Sequence, residues 1–246
     1  LNPRSSDRPE KRPMPSTFVL VHGAWHGGWG WVRLAEILRK QGHTVFAPTL
    51  TGLGERAHLI RPDIDATLHI ADVVNVIRYE RLSDIVLVGH SYGGCVVSGV
   101  AEIVPDKIKS IVFLDAFIPD DGDATVDLVQ PAVKEIILAN AARGETTVPV
   151  RDAAAFNVNV KDRPWVDALA LPQPIGTMIE KLKLTRARDR IGKKAYIRAT
   201  GYPNVSFEAA HARAKAEGWR TFEVSCGHNV MVDEPARLAE ILNELE

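Results

Sequence analysis

Ser91 stands in the run Gly89-His90-Ser91-Tyr92-Gly93, directly behind the apolar segment Ile85-Val86-Leu87-Val88. A Gly-x-Ser-x-Gly pattern where a buried strand ends and a helix begins places the serine on a sharp, strained turn, with its hydroxyl lifted above the sheet. The apolar positions that follow, Val96, Val97, Val100, Ala101 and Val104, supply that helix. A serine hydroxyl is a weak nucleophile near neutral pH and needs a general base within hydrogen-bond reach. Of eight histidines, His228 is the best placed, in Cys226-Gly227-His228-Asn229 between the last strand and the last helix. His90, adjacent to Ser91, is expected to point away and pack under the turn. The remaining requirement is a site for developing negative charge. The glycine-rich turn His22-Gly23-Ala24-Trp25-His26-Gly27-Gly28 follows the first strand. There the Ala24 N–H, with the Tyr92 N–H after the serine, can form a two-donor oxyanion hole.

The elements that must position these groups follow from periodicity. Strands are expected at Phe18–Val21, Thr44–Ala47, Ile85–Val88, Ile108–Leu114, Ala195–Ala199 and Arg220–Val224. Helices are expected around Trp31–Leu38, Ala66–Tyr79, Phe207–Glu217 and from Pro235 to Leu245. Such alternation implies an α/β fold, a mostly parallel sheet flanked by helices. Residues 17–118 and 195–246 form its core. Residues 119–194 break the alternation with Pro131, Pro149, Pro164, Pro172 and Pro174, and are read as an inserted helical cap. Its apolar side chains, Phe156, Trp165 and Met178 among them, either wall a pocket or hold the cap together. Residues 1–16 are polar, basic and proline-containing. They are read as a disordered arm or an expression remnant outside the fold, with Met14 a candidate natural start.

Composition narrows the function classes. Thirty basic and 31 acidic side chains leave a formal net charge of −1, and no block of like charge marks a nucleic-acid or membrane surface. No apolar run approaches the roughly 18 residues that cross a bilayer. Two cysteines, Cys95 and Cys226, make neither a disulfide framework nor a metal cluster. No nucleic acid, no membrane and no metal is expected as a partner. A homodimer is left open, and the expected location is cytoplasmic.

Taken together, His22-Gly-Ala-Trp-His-Gly-Gly-Trp29, Gly89-His-Ser-Tyr-Gly-Gly94 and Gly227-His228 resemble the α/β-hydrolase superfamily. The branch they resemble most holds plant methylesterases, hydroxynitrile lyases and bacterial pyrethroid and carbamate hydrolases. The segment Leu50-Thr-Gly-Leu-Gly-Glu-Arg-Ala-His58 is also similar to bacterial esterases of that branch. The resemblance extends from Thr17 to the C-terminus and is vaguest in the cap. It implies an α/β-hydrolase fold and cofactor-free hydrolysis through an acyl-enzyme.

Two departures stand out. Hydroxynitrile lyases of this branch carry a threonine in the first turn and a lysine after the histidine, where this chain has Gly23 and Asn229. The acid usually follows the penultimate strand, but Ala195-Tyr-Ile-Arg-Ala-Thr-Gly-Tyr-Pro-Asn-Val205 contains no carboxylate. Asp115, in Phe113-Leu114-Asp115-Ala116-Phe117 at the end of the strand after the nucleophile helix, is the candidate acid. Certain lipases carry theirs on the loop after that same strand. The alternative is that Asp115 caps a turn into the cap.

The expected site is therefore Ser91, His228 and Asp115 as catalytic groups, Ala24 and Tyr92 as oxyanion hole, and His26, Phe117 and Trp165 against substrate. The expected function is a serine hydrolase of a small, mostly apolar carboxylic ester or carbamate. A lyase, a cofactor-free oxygenase or a silent ligand receptor on the same scaffold are the alternatives.

Overall fold

Runs of β-branched and aromatic residues, too short for helices and too apolar for the surface, form the centre of the molecule. The structure is a computed structural model and describes residues 15–246. Six strands form one sheet: β1 (Thr17–Val21), β2 (Thr44–Phe46), β3 (Ile85–His90), β4 (Ile108–Leu114), β7 (Lys193–Ala199) and β8 (Arg220–Val224). Their order is β2-β1-β3-β4-β7-β8, and every neighbouring pair is parallel. All six residues of β3 are buried, as expected for the middle of a sheet covered on both faces.

The helices follow their apolar stripes. Leu34, Ala35 and Leu38 bury one side of α1 (Val32–Lys40), and Asp65 caps α2 (Ala66–Tyr79) by accepting from the Leu68 N–H at 2.8 Å. Helix α2 packs on α3 (Gly93–Ile103), and α1 packs on α10 (Pro235–Asn243). Helix α8 (Val205–Ala216) covers β7 and β8, and the single turn α9 (Val230–Asp233) precedes α10. The chain leaves β1 for β2 on one side and returns to β3 on the other. The carboxyl ends of β1 and β3 are thus the point where strand order reverses, where open α/β sheets bind ligands.

Between β4 and β7 lie four short helices: α4 (Thr125–Leu128), α5 (Pro131–Ala142), α6 (Arg163–Leu169) and α7 (Gly176–Ile179). A two-stranded antiparallel ribbon, β5 (Thr147–Val148) with β6 (Gln173–Pro174), joins them. Strands of two residues leave no alternation to read, so the ribbon is absent from the periodicity. Of the expected arm, residues 1–14 lie outside the described residues. Ser16 belongs to the sheet edge instead, its N–H donating to His43 Nδ1 at 3.1 Å and its carbonyl accepting from Thr44 N–H at 3.0 Å. Among the described residues no helix is long and apolar enough to cross a membrane.

Candidate active site

Ser91 occupies the turn between β3 and α3 with φ +54°, a left-handed conformation that costs a non-glycine residue energy. Backbone bonds hold it there. Its N–H donates to Leu114 O at 3.2 Å, and its carbonyl accepts from Gly94 N–H at 3.0 Å and Phe117 N–H at 3.2 Å. A Cβ at position 89 would stand 2.5 Å from Gly93 O, so the tightness of the turn requires glycine there.

His228 lies on the loop between β8 and α9, its N–H donating to Phe156 O at 2.9 Å. Its Nδ1 donates to Asp115 Oδ2 at 2.6 Å, which fixes the tautomer and leaves Nε2 as the basic nitrogen. Phe156, Tyr202 and Phe207 enclose the ring at centroid distances of 5.6, 4.9 and 5.0 Å. This burial holds His228 well below the ordinary histidine range, so the resting imidazole is neutral. His90 packs beneath, donating from Nε2 to the His228 carbonyl at 3.0 Å.

Asp115 ends β4 at φ +42° and is fully buried. Its second oxygen, Oδ1, accepts from Arg198 Nη1 at 2.6 Å and from the Ala199 N–H at 3.1 Å. Burial pushes the carboxyl up to about 7, against the pull of the Arg198 charge and of those two donors. Arg198, on β7, was not singled out by the residue types. The signal was nonetheless present: an arginine inside the otherwise apolar strand Ala195–Ala199 must find a partner when buried.

Ala24 and Tyr92 line the same cavity as Ser91 and His228. Among the described residues neither of their N–H groups has a protein acceptor, whereas the neighbouring Trp25 N–H donates to Gln173 Oε1 at 2.9 Å. The first turn is thus pinned from the β5–β6 ribbon, and the Ala24 and Tyr92 amides are left without a protein acceptor. Phe117, Val133, Phe156, Met178 and Phe207 make the apolar wall of the cavity, and Gln130, Arg151 and Asn204 its polar fringe. The cavity volume is about 40 Å³, a narrow slot between these walls.

Two of the expected substrate contacts are not there. His26 does not line the cavity. Its Nδ1 donates to Ala24 O at 2.9 Å and its Nε2 accepts from Asn229 Nδ2 at 2.8 Å, bracing the turn from behind. Trp165 also lies elsewhere, edge-on to Trp29 at 5.4 Å with the Arg33 guanidinium 4.8 Å from its ring. An Arg33–Asp162 ion pair at 2.6 Å joins the start of α6 to α1 beside it. Phe117 does reach the cavity. No three His, Cys, Asp or Glu side chains gather as a metal site would require, among the described residues.

Residues 18–241 match the alpha/beta hydrolase family. The chain is 40% identical over 240 residues to a carbendazim hydrolyzing esterase of Nocardioides sp. strain SG-4G, covering 94% of this chain and 99% of that one. It is 27% identical over 251 residues to methylesterase 10 of Arabidopsis thaliana, covering 93% and 90%. An extracellular alpha/beta-hydrolase from a Paenibacillus species superposes with a TM-score of 0.82 at 30% identity, covering 94% and 99% of the two chains. The chain belongs to the alpha/beta hydrolase family and is an esterase-type hydrolase within it.

Proposed function

We propose that this chain is a serine hydrolase that cleaves a small, mostly apolar carboxylic ester or carbamate through an acyl-enzyme. The observation that carries the reading is the 2.6 Å bond from His228 Nδ1 to Asp115, with His228 and Ser91 facing one apolar cavity. Ser91 Oγ attacks the substrate carbonyl while His228 Nε2 takes its proton. Asp115 holds the imidazole in the required tautomer and stabilises the imidazolium that forms. The carbonyl oxygen becomes an oxyanion between the Ala24 and Tyr92 N–H groups, each such donor contributing about 3 kcal/mol to the transition state. Collapse expels the alcohol or amine, which leaves with the proton from His228. Water then attacks the acyl group along the same route. The chemistry calls for no cofactor. The relative named for carbendazim hydrolysis supports hydrolytic over receptor function.

Cyanohydrin lyase chemistry fits this site poorly. A Cβ at position 23 would stand 2.9 Å from both Ser91 Cβ and His90 Nδ1, so a threonine there would displace the nucleophile. Asn229, after the histidine, is fully buried, is engaged by His26 and does not line the cavity. Labelling with a fluorophosphonate tests the reading. Tandem mass spectrometry should find the adduct on Ser91 in step with loss of p-nitrophenyl ester hydrolysis. Full activity after complete labelling of Ser91 would overturn it.

A further inference from the structure

The stretch where the family usually keeps its acid carries a buried arginine in this chain. The charge pattern is inverted, with carboxylate on β4 and guanidinium on β7, and the two meet at 2.6 Å. We propose that Arg198 is a positioning residue of the triad, keeping the Asp115 carboxyl charged and aimed at His228 Nδ1. The proposal rests on the triad reading above and deepens it.

Three observations carry it. Arg198 and Asp115 are 4% and 0% exposed at their side chains, so each would be a costly isolated charge without the other. The guanidinium is itself fixed by the backbone, donating to the carbonyls of Ala199 and of Tyr202, the latter at 2.6 Å. Arg198 and the Ala199 N–H both bind Oδ1, which leaves Oδ2 to His228 alone. The carboxylate is thereby held in one rotamer, with each oxygen assigned.

The other titratable groups around the pair do not replace this arginine. From β7, the Tyr196 hydroxyl is occupied by the Ala116 backbone, accepting at 3.1 Å and donating at 2.9 Å. From α8, Glu208 lies 3.6 Å from Arg198 Nη2 on the exposed side, and His211 contributes a weaker favourable charge to Asp115. From the cap, Arg151 acts on His228, as does His26 from the first turn; His90 lies directly beneath it. Arg198 disfavours charge on His228 as well as favouring it on Asp115. Losing it therefore raises both groups, and the acid limb of activity moves upward.

Arg198→Met and Arg198→Lys, each alone and in an Asp115→Asn background, test this with a p-nitrophenyl ester across pH 5 to 10. For R198M the acid limb of kcat/KM should move up by about one pH unit or more, the size expected when a neighbouring opposite charge is lost. On the acid side of the limb that corresponds to a loss in kcat/KM of about tenfold, recovered at alkaline pH, with KM little changed. R198K, which retains the charge without the fork, should lie between. In the D115N background R198M should shift the acid limb by less than it does in the wild-type background, because only its direct effect on His228 remains.

If R198M fails to fold, the R198K limb decides, displaced upward in support or unmoved against. Unmoved limbs with a large D115N defect would overturn the role of Arg198 and leave the triad standing. A mild D115N effect would overturn the triad reading and this proposal with it.

Discussion

Asp115 and His228 are separated by 113 positions in the chain, yet Asp115 Oδ2 and His228 Nδ1 stand 2.6 Å apart. The contact exists because β4 and the loop after β8 end at the same edge of the sheet, with β7 between them. Asp115 reaches across β7 by taking a left-handed turn, as Ser91 does one strand away. Two strained residues at the ends of adjacent strands are what the close packing of this edge requires.

Asp115→Asn should lower kcat by about 10⁴-fold, because the amide permits the wrong imidazole tautomer. It should also destabilise the fold by about 3 kcal/mol by leaving the buried Arg198 charge without its counterion. Steady-state kinetics and urea unfolding check the two effects separately.

Gly23→Thr should cost about 1–3 kcal/mol of stability, the range for overpacking, and lower kcat by at least about tenfold. The physical cause is the 2.9 Å approach of a Cβ at that position to Ser91 Cβ and His90 Nδ1. A variant with unchanged turnover and melting temperature would show that the first turn has slack.

Met178→Ala should let the cavity take longer acyl chains, since Met178 is a buried part of its wall. The preferred p-nitrophenyl ester should lengthen, with a stability loss of about 2–5 kcal/mol from the space created. An unchanged chain-length profile would place acyl selection elsewhere in the cavity.

Stability should decline as the pH falls from about 6.5 to 4. His69 is buried between Tyr92 OH at 3.1 Å and Thr51 O at 2.9 Å, and desolvation lowers it to about 4; His22, also buried, is lowered to about 3. The unfolded chain takes up protons near pH 6.5 that these histidines refuse when folded. Their contribution is full above 6.5 and is lost as the pH drops through that window. Asp115, raised to about 7, acts with the opposite sign between about 4 and 7, but the buried histidines outnumber it. Urea unfolding of wild type should lose several kcal/mol over this range, of which His69→Gln should remove roughly 3 kcal/mol.

Much of this arrangement was legible in the residues. The apolar run at Ile85–Val88, the glycines around Ser91 and the strand at Ile108–Leu114 locate the turn and its neighbour with little ambiguity, and the sheet agrees. Asp115 is legible only against the family pattern, whose usual acid segment has no carboxylate in this chain, and the structure sets it beside His228. The direction of a side chain within an irregular turn has no such signature. His26 is two residues from an oxyanion amide, but points backward to Asn229. Trp165 sits in a proline-punctuated insertion where neither period applies, and it packs against Trp29 and Arg33, more than 130 positions earlier in the chain. Arg198 lies where the family pattern calls for a carboxylate, although a charge inside an apolar strand already implies a buried partner.

The most direct test of the triad is a rapid-mixing burst experiment with p-nitrophenyl esters, followed by intact-mass detection, on wild type and on Ser91→Ala. Wild type should release a burst of p-nitrophenol and carry one acyl adduct. The Ser91→Ala chain should show neither, with turnover reduced at least about 10⁴-fold and unfolding free energy within about 1 kcal/mol of wild type. An adduct or undiminished turnover in Ser91→Ala would contradict the account, as would wild-type hydrolysis that never passes through an acylated protein.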